Sequence, residues 1–352
     1  MADISSRKND HLDLALHSDV GFRRTTLFEE VELVHCSMPE LSWDELDPSL
    51  ELFGRKLRAP ILIAAMTGGN ERARIINEKL ALVAEKGGYA LGLGSQRAMV
   101  REGFINESVA ESYALRSIAP TIPIFANIGI VQAAKMPSEL IQSLVSHVGA
   151  DALCVHLNPA QELIQPDGDR DFRGGYQALA RLLGEVGVPL IVKETGNGLS
   201  RQVAEQLRAQ GVLHVDVSGA GGTTWVGVET HRASGTHKQS GELFWDWGIP
   251  TAASLLEVKP SQFRTVIATG GLKSGLDAAR AIALGARLAG FARPVLQELD
   301  RGGVEGALTF LSQIERDLKM AMMLTGSKNL AALGRARRLL GPKLRAWSNP
   351  SE

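Results

Sequence analysis

Eight short apolar runs alternate with amphipathic helical stretches after Pro60, and few folds accommodate such an alternation. Eight strand–helix units is the number that closes a (β/α)8 barrel. A doubly wound open sheet also alternates strands and helices, but no G-x-G-x-x-G turn follows the first run. We therefore predict an α/β fold, a (β/α)8 TIM barrel over residues 59–345. The predicted strands are residues 60–66, 89–94, 122–128, 151–158, 189–194, 212–218, 265–269 and 288–292.

Three parts of the chain depart from this repeat. Residues 1–58 look irregular or weakly helical, and we expect them to form an N-terminal extension that contributes to the substrate site. A Gly-rich polar insertion from Gly219 to about Gly248 follows the sixth run, and the sequence assigns no role to residues 226–246. Helical sequence fills most of the chain from Pro294 to Leu340, and a helix is also predicted at about 108–117.

Charge and cysteine content exclude several classes of function. The net charge is −1 at pH 7, so no general attraction to nucleic acid or acidic membranes is expected. Cys36 and Cys154 have no metal-binding or disulfide spacing, as is usual in a reducing compartment. No stretch has the length or apolarity of a membrane span or signal core. We expect a cytoplasmic protein with a small-molecule partner and neither nucleic-acid nor membrane partners.

Small or hydrogen-bonding residues follow every predicted strand. In a closed barrel all eight carboxyl ends meet at one rim, which is where the active sites of this fold lie. Ordinary turns would leave an assortment of residues there, so the consistent composition favours one ligand site. These residues are Thr67-Gly68-Gly69, Ser95-Gln96-Arg97, Asn127, His156 with Asn158, Gln161 and Glu162, Lys193-Glu194, Asp216 with Ser218 and Thr223, Gly270-Gly271, and Ala292-Arg293.

The last two units have the features of a phosphate site. Gly270 and Gly271 would let backbone N–H groups approach an anion, and Ala292-Arg293 before Pro294 supplies a helix start. The Gly221-Gly222-Thr223 run after the sixth strand is a second such cradle. A Gly-Gly pair alone usually indicates only a turn. The occurrence of such features in both the seventh and the eighth unit is what favours a phosphate site.

Lys193 ends an otherwise apolar strand, so its ammonium needs a partner. An ion pair with a neighbouring carboxylate such as Asp216 is one interpretation. The other is a cation at the edge of a flavin ring that gains negative charge on reduction, with Asn127 and Ser95 hydrogen-bonded to the same ring.

The fourth strand should stop near Asn158, because Pro159 cannot donate to a sheet ladder. Gln161 and Glu162 are then expected on the loop that follows. Glu162 could bind Mg²⁺ together with waters and a diphosphate, although a lone carboxylate is by default solvated.

The N-terminal arm concentrates cationic and donor groups at Arg7, Lys8 and His11. Charge runs near a terminus are normally solvated. If the arm folds over the rim, it could instead clamp a phosphate and exclude water.

These motifs together resemble the type 2 isopentenyl diphosphate isomerases, flavin-dependent enzymes of isoprenoid synthesis. The resemblance covers nearly the whole chain, in order. Its most specific elements are Arg7-Lys8-Asn9-Asp10-His11 and His156-Leu157-Asn158-Pro159-Ala160-Gln161-Glu162. Ala65-Met66-Thr67-Gly68-Gly69, Gly94-Ser95-Gln96-Arg97, Lys193-Glu194, Asp216 to Trp225, Trp247 to Thr251 and Ala268 to Leu272 complete the set.

The resemblance implies an FMN barrel that interconverts isopentenyl and dimethylallyl diphosphate with reduced flavin, NADPH as reductant and Mg²⁺. It implies a homo-oligomer, a tetramer or octamer. The implied flavin contacts are Ala65, Met66, Thr67, Ser95, Asn127, Lys193, Ser218, Thr223, Gly270, Gly271, Ala292 and Arg293. The implied substrate contacts are Arg7, Lys8, His11, Ser95, Gln96, Arg97, His156, Asn158 and Gln161.

The reaction moves a double bond by adding a proton to one carbon and removing one from another. An electron-rich flavin face would stabilise the positive charge that develops in between. Catalytic roles are implied for His156, Gln161 and Glu162, with Glu162 also the metal ligand. The family's favoured proton carrier is flavin N5, and Gln161 or Glu162 are the alternatives.

Three competing functions remain at this point. A flavin-dependent 2-hydroxy-acid oxidase or dehydrogenase needs a histidine base beside an arginine after the sixth strand, where this chain reads Gly219 to Thr223. An inosinate-dehydrogenase-like enzyme needs a rim cysteine, but Cys154 lies within a strand and Cys36 precedes the barrel. A non-catalytic barrel that binds a phosphate ligand is the third.

Overall fold

Eight parallel strands close into a barrel in the computed structural model, which describes residues 4–348. The strands follow one another around the barrel in chain order, and the eighth pairs with the first through Ala289 and Ile61. The predicted TIM barrel and all eight predicted strands are confirmed. The strands are β1 Ile61–Ile63, β2 Ala90–Gly92, β3 Ile124–Gly129, β4 Ala152–Leu157, β5 Leu190–Glu194, β6 His214–Asp216, β7 Thr265–Ala268 and β8 Leu288–Phe291.

Helices surround the strands and extend both ends of the chain. The longest, Arg293–Leu324, is kinked at Gly303, whose φ is 63°. The α-helices are Ile4–His17, Glu71–Gly87, Glu107–Ala110, Ile130–Lys135, Ser138–His147, Pro159–Ile164, Gly175–Glu185, Arg201–Ala209, Trp225–Arg232, Gly235–Leu243, Thr251–Val258, Gly275–Leu284, Arg293–Leu324, Leu330–Arg335 and Pro342–Arg345. Short 3-10 helices cover Phe28–Glu30, Trp43–Glu45, Gln96–Met99, Glu111–Tyr113 and Lys259–Ser261.

Local sequence explains where the helix Glu71–Gly87 begins and ends. The Asn70 side chain accepts a hydrogen bond from the Ala73 N–H at 2.8 Å, which satisfies one of the free donors of the first turn. Gly88 ends the helix at φ 66°, a left-handed conformation that glycine adopts without a Cβ clash. The helix thereby starts immediately after the Thr67-Gly68-Gly69 segment at the rim.

The barrel interior is filled by side chains from alternate strand positions. Leu62, Phe125, Cys154 and Ile191 are among the buried residues of this inner cluster. A hairpin of strands Leu50–Leu52 and Arg55–Leu57 closes the amino-terminal end, where the Phe53 ring lies 5.8 Å from that of Phe125, edge to face. Truncating Phe125 to alanine would cost about 3–5 kcal/mol in a core of this kind. The interior of the barrel is therefore packed with side chains.

Sequence patterning missed several elements outside the barrel. The N-terminal extension, expected to be irregular or weakly helical, contains the helix Ile4–His17. Val31–Leu33 pairs antiparallel with Arg338–Leu340 in the tail expected to be helical. That pair joins segments some 300 residues apart, so no local pattern can reveal it. The helix expected at 108–117 is instead Glu107–Ala110 followed by Glu111–Tyr113, after a small hairpin of Val100–Arg101 and Phe104–Ile105.

The insertion after β6 contains two helices, Trp225–Arg232 and Gly235–Leu243. Thr224 caps the first by accepting from the Gly227 N–H at 3.2 Å. The N-terminal segment is joined to this region, because the Thr224 N–H donates to the Val20 carbonyl at 2.9 Å and Phe22 donates to the Gly222 carbonyl at 2.8 Å. Within residues 4–348, no helix is both long enough and apolar enough to cross a membrane.

Candidate active site

One cavity opens at the carboxyl ends of the barrel strands, and most of the predicted site residues line it. Gln96, Ser218, Gly270 and Gly271 are the predicted residues that do not. The predicted residues at the cavity are Arg7, Lys8, His11, Ala65, Met66, Thr67, Ser95, Arg97, Asn127, His156, Asn158, Gln161, Glu162, Lys193, Thr223, Ala292 and Arg293.

The Gln96 side chain points away from the cavity and is almost fully buried. Its Oε1 accepts from the Asn127 backbone N–H at 3.0 Å, and its Nε2 donates to the Leu144 carbonyl at 3.1 Å. Gln96 therefore contributes to the cavity indirectly, because it holds the backbone of Asn127 in β3.

Asn127 and His156 form a hydrogen-bonded pair at the cavity floor. The Asn127 Nδ2 donates to the Leu93 carbonyl at 3.0 Å, so its Oδ1 faces His156 Nδ1 at 2.9 Å. Nδ1 must then carry the proton, and Nε2 is left as an acceptor. Burial and the charge of Lys193 lower the pKa of His156 to about 3. His156 is thus a neutral imidazole of defined tautomer at physiological pH.

Lys193 is a cation without an ion pair in the described part of the chain. Its Nζ lines the cavity and donates to the Glu194 carbonyl at 2.8 Å. Asp216, the partner considered from the sequence, instead accepts from Thr269 Oγ1 at 2.7 Å and from the Ser218 N–H at 3.2 Å. Burial raises the pKa of Asp216 above its ordinary value. The charge of Lys193 lowers the pKa of Asp216 in opposition to burial, but no carboxylate of the described chain lies within ion-pair distance of the ammonium, so a ligand can bind there.

Gln161 and Glu162 lie on the helix Pro159–Ile164, and the expectation of a loop there is wrong. Pro159 cannot continue the β4 ladder, but its fixed φ suits the first position of a helix. Glu162 Oε1 accepts from Asn158 Nδ2 at 2.8 Å, and Oε2 accepts from the Asp169 N–H at 2.8 Å. The carboxylate is buried and oriented at the cavity wall rather than solvated.

Glu229, which sequence reasoning missed, is a fully buried carboxylate behind the cavity wall. Its Oε1 accepts from Gln161 Nε2 at 3.2 Å and lies 2.9 Å from His11 Nε2, while its Oε2 accepts from Arg232 Nη1 at 2.7 Å. Burial alone would raise the pKa of Glu229, but the bonds from His11 and Gln161 and the charge of Arg232 lower it. Sequence reasoning could have found Glu229 only by recognising that the Gly-rich insertion contains a helix, on which this glutamate faces inward.

The N-terminal helix lies over the cavity and is held at both ends. At its start, Lys8 Nζ donates to the Gly68 carbonyl and to the Tyr113 hydroxyl, the latter at 3.0 Å. Burial and the charge of Arg7 lower the pKa of Lys8 to about 7. At its end, the Arg293 guanidinium donates to the Ala15 and Ser18 carbonyls, each at 2.7 Å. The arm thus lies across the rim instead of extending into solvent.

Close backbone packing joins the glycines of the two loops predicted to bind phosphate, Gly221-Gly222 and Gly270-Gly271. A Cβ on Gly270 would lie 2.1 Å from the Gly219 carbonyl oxygen, and one on Gly222 would lie 2.4 Å from the Gly271 nitrogen. Gly270 and Gly271 also have φ values of 99° and 81°, which favour glycine. The helix Arg293–Leu324 begins beside these loops, with Ala292 as its first flanking residue.

The donor set fits an FMN. Residues that follow β1 and β2 form a floor for a flat ring, Asn127 and Lys193 are donors at its edge, and a helix N-terminus lies beside the glycine loops. The same residues would hold Mg²⁺ with few protein ligands. Among residues 4–348, no three His, Cys, Asp or Glu side chains are grouped as a metal site, so Glu162 would need waters and substrate oxygens to complete the shell.

Residues 138–339 match the sequence model of a family described as FMN-dependent dehydrogenase. Over nearly its full length the chain is similar to several curated proteins named isopentenyl-diphosphate delta-isomerase. It is 43% identical to the isopentenyl-diphosphate delta-isomerase of Methanothermobacter thermautotrophicus over 98% of this chain and 96% of that one. It is 43% identical to the isomerase of Halobacterium salinarum over 97% and 95%, and 42% identical to that of Cronobacter sakazakii over 95% and 96%.

Solved structures of other proteins share the fold. A lactate oxidase from Pediococcus acidilactici superposes with a TM-score of 0.67 at 15% identity, covering 97% of this chain and 95% of the other. Mandelate oxidase with (S)-2-phenylpropionate gives a TM-score of 0.65 at 16% identity, covering 96% and 98%. At such low identity these likenesses concern the barrel alone.

Proposed function

Because the chain belongs to the isopentenyl-diphosphate delta-isomerase family, we propose that it interconverts isopentenyl and dimethylallyl diphosphate. The proposal includes FMN in its reduced form, NADPH as the reductant and Mg²⁺. The observation that carries it is the division of the cavity. Cationic groups of the N-terminal helix face one side, while Asn127, His156 and Lys193 form a floor on the other. One side suits a diphosphate and the other a flat, electron-rich ring.

The flavin would lie on the floor formed by the ends of β1, β2 and β3. Asn127 and Ser95 would hydrogen-bond the ring, and the unpaired Lys193 would neutralise its negative charge. When bound, FMN supplies an electron-rich face that stabilises positive charge on carbon. The other side chains proposed to contact it are Ala65, Met66, Thr67, Ser218 and Thr223. Gly270, Gly271, Ala292 and Arg293 would surround its phosphate.

The diphosphate would be held between the N-terminal helix and the rim. Arg7, Lys8, His11 and Arg97 supply positive charge or donors, and phosphate oxygens are strong acceptors. Glu162 would bind Mg²⁺ together with diphosphate oxygens and waters. With Asn158 and Asp169 holding its two oxygens, Glu162 needs little reorganisation to accept the ion.

The carbon skeleton of the substrate would face His156 and Gln161. His156 is neutral, so it adds no positive charge beside a developing cation. Gln161 is oriented by the hydrogen bond that it donates to Glu229. The negative charge of Glu229 would also stabilise the positive charge that develops on the substrate. We propose that Glu229 orients Gln161 beside the carbons that gain and lose a proton, and that it orients His11 toward the diphosphate.

The 2-hydroxy-acid oxidase alternative is disfavoured by the loop after β6. Residues 217–224 contain no histidine, and His231, on the following helix, stacks edge-on against Trp245 at 5.6 Å instead of lining the cavity. A non-catalytic phosphate-binding barrel is disfavoured by the hydrogen bonds that join the buried Glu229 to Gln161 and His11, which a simple anion cradle does not need.

A cytoplasmic homo-oligomer, a tetramer or octamer, is proposed from the family resemblance alone. Light scattering of the purified holoprotein measures its mass directly. No nucleic-acid or membrane partner is proposed, in keeping with the net charge of −1.

The test is direct. Purified protein is incubated with FMN, NADPH, Mg²⁺ and isopentenyl diphosphate, and the two isomers are separated and quantified. Formation of dimethylallyl diphosphate supports the proposal. Protein that is colourless and gains no flavin absorbance with added FMN would favour the non-catalytic barrel.

A further inference from the structure

Tyr113 is a fully buried tyrosine whose hydroxyl reaches the N-terminal helix. The hydroxyl donates to the Ser95 carbonyl at 2.7 Å. Because its single proton is used there, the oxygen faces Lys8 Nζ, 3.0 Å away, with a lone pair. Tyr113 therefore connects the loop after β2 to the one lysine that approaches the cavity from the N-terminal helix.

Gly68 and Gly69 make room for this contact. A Cβ on Gly68 would lie 2.2 Å from the Tyr113 ring, and one on Gly69 would lie 2.7 Å from Lys8 Nζ. The absence of side chains at Gly68 and Gly69 thus leaves the space that the Tyr113 ring and the Lys8 ammonium occupy.

The acceptors around Lys8 are all uncharged. Nζ donates to the Gly68 carbonyl and the Tyr113 hydroxyl, and the Ser95 carbonyl lies at 3.5 Å, the limit of a hydrogen bond. No carboxylate of the described chain lies within 4.0 Å of it. A half-buried amine held by neutral groups gains its charge most readily when an anionic ligand binds beside it, and its position is set by those groups.

We propose that Tyr113 is a positioning residue that aims the Lys8 ammonium at the diphosphate of the substrate. This inference rests on the proposed function and extends it to a residue outside the predicted site. The competing explanation is that the Tyr113 hydroxyl only satisfies the Ser95 carbonyl, as buried tyrosines commonly satisfy a backbone group.

The experiment compares Tyr113→Phe with Tyr89→Phe in the FMN-loaded enzyme. Tyr89 is equally buried, but its hydroxyl bonds to Arg58 and Glu315, each at 2.9 Å, away from the cavity. Tyr113→Phe should raise the KM for isopentenyl diphosphate about tenfold with kcat within about twofold, a loss of about 1.4 kcal/mol in binding. Tyr89→Phe should change neither constant.

A double-mutant cycle with Lys8→Met separates positioning from packing. If Tyr113 acts through Lys8, adding Tyr113→Phe to Lys8→Met leaves KM unchanged. Equal losses in both backgrounds, or a fall in kcat with KM unaltered, would overturn the proposal.

Binding of inorganic pyrophosphate, measured by calorimetry, keeps this inference separate from the proposed reaction. If the wild-type protein does not isomerise but binds pyrophosphate, and Tyr113→Phe weakens that binding about tenfold, the function fails while the positioning role stands. If the wild type isomerises and Tyr113→Phe binds pyrophosphate as tightly as the wild type, the positioning role fails alone.

Discussion

The side-chain amide of Gln161 donates to Oε1 of Glu229 at 3.2 Å, and the same oxygen lies 2.9 Å from His11 Nε2. Glu229→Gln keeps the shape but removes the charge that orients both partners. We expect kcat to fall about 10–100-fold while FMN absorbance is retained, because losing a charged acceptor costs about 1.5–3 kcal/mol. Steady-state kinetics and a flavin spectrum measure the two effects.

The matched control is Glu242→Gln, since Glu242 is half exposed and pairs with the exposed Arg23. It should leave kcat unaltered. An unchanged kcat in Glu229→Gln would show that Glu229 does not contribute to catalysis.

His156 should remain neutral across the working pH range. Its folded pKa is about 3, against 6.5 for a free imidazole. In an unfolded chain the residue takes up a proton as the pH falls below 6.5, whereas in the folded chain it does not. Its contribution to stability is therefore complete above pH 6.5 and is lost as the pH falls toward 3.

Nitrogen chemical shifts of labelled histidine check this directly. We expect the His156 ring to show the neutral tautomer protonated at Nδ1 down to about pH 4. A titration of His156 near its ordinary pKa would contradict the burial argument.

Glu162→Gln should raise the Mg²⁺ concentration needed for half-maximal activity about tenfold or more, because an amide is a weaker ligand for a hard cation. FMN content should not change. Glu305→Gln, at a glutamate side chain 77% exposed, is the control. An identical Mg²⁺ titration in Glu162→Gln and wild type would exclude Glu162 from the metal shell.

Arg7→Ala with Lys8→Ala should weaken diphosphate binding without lowering the free energy of unfolding. Lys8 has a pKa of about 7, so its amine is largely neutral in the free protein at pH 8. A bound anion favours the ammonium, and binding of pyrophosphate should take up protons and tighten as the pH falls from 9 to about 7.

Calorimetry in buffers of different ionisation enthalpy measures this proton uptake. It should disappear in Lys8→Met and persist in Lys86→Met, because Lys86 pairs with Glu305 on the surface. Affinity for pyrophosphate that is the same in the Arg7/Lys8 double variant and wild type would mean that the arm does not bind the anion.

The barrel and its rim were predictable because both follow from local patterns repeated eight times. Each strand is a short apolar run that ends at polar or glycine residues, and closure of the barrel brings those ends together. Lys193, His156 and Glu162 could therefore be assigned to one site from their positions in the repeat.

The rest depends on contacts between distant segments. Glu229 meets Gln161 and His11 across 68 and 218 residues, and Tyr113 meets Lys8 across 105. Residues 226–246 read as a polar insertion because their helices are short and rich in glycine, serine and charge. Propensity alone does not reveal a buried glutamate there, and tertiary packing decides it.

The redox state of the flavin tests the central claim most directly. Under strictly anaerobic conditions with Mg²⁺ and isopentenyl diphosphate, the FMN-loaded protein is assayed once with NADPH and once with the flavin kept oxidised. We expect dimethylallyl diphosphate to form only with reduced flavin, with no net consumption of NADPH during turnover. Full turnover with oxidised flavin in the absence of any reductant would contradict the account.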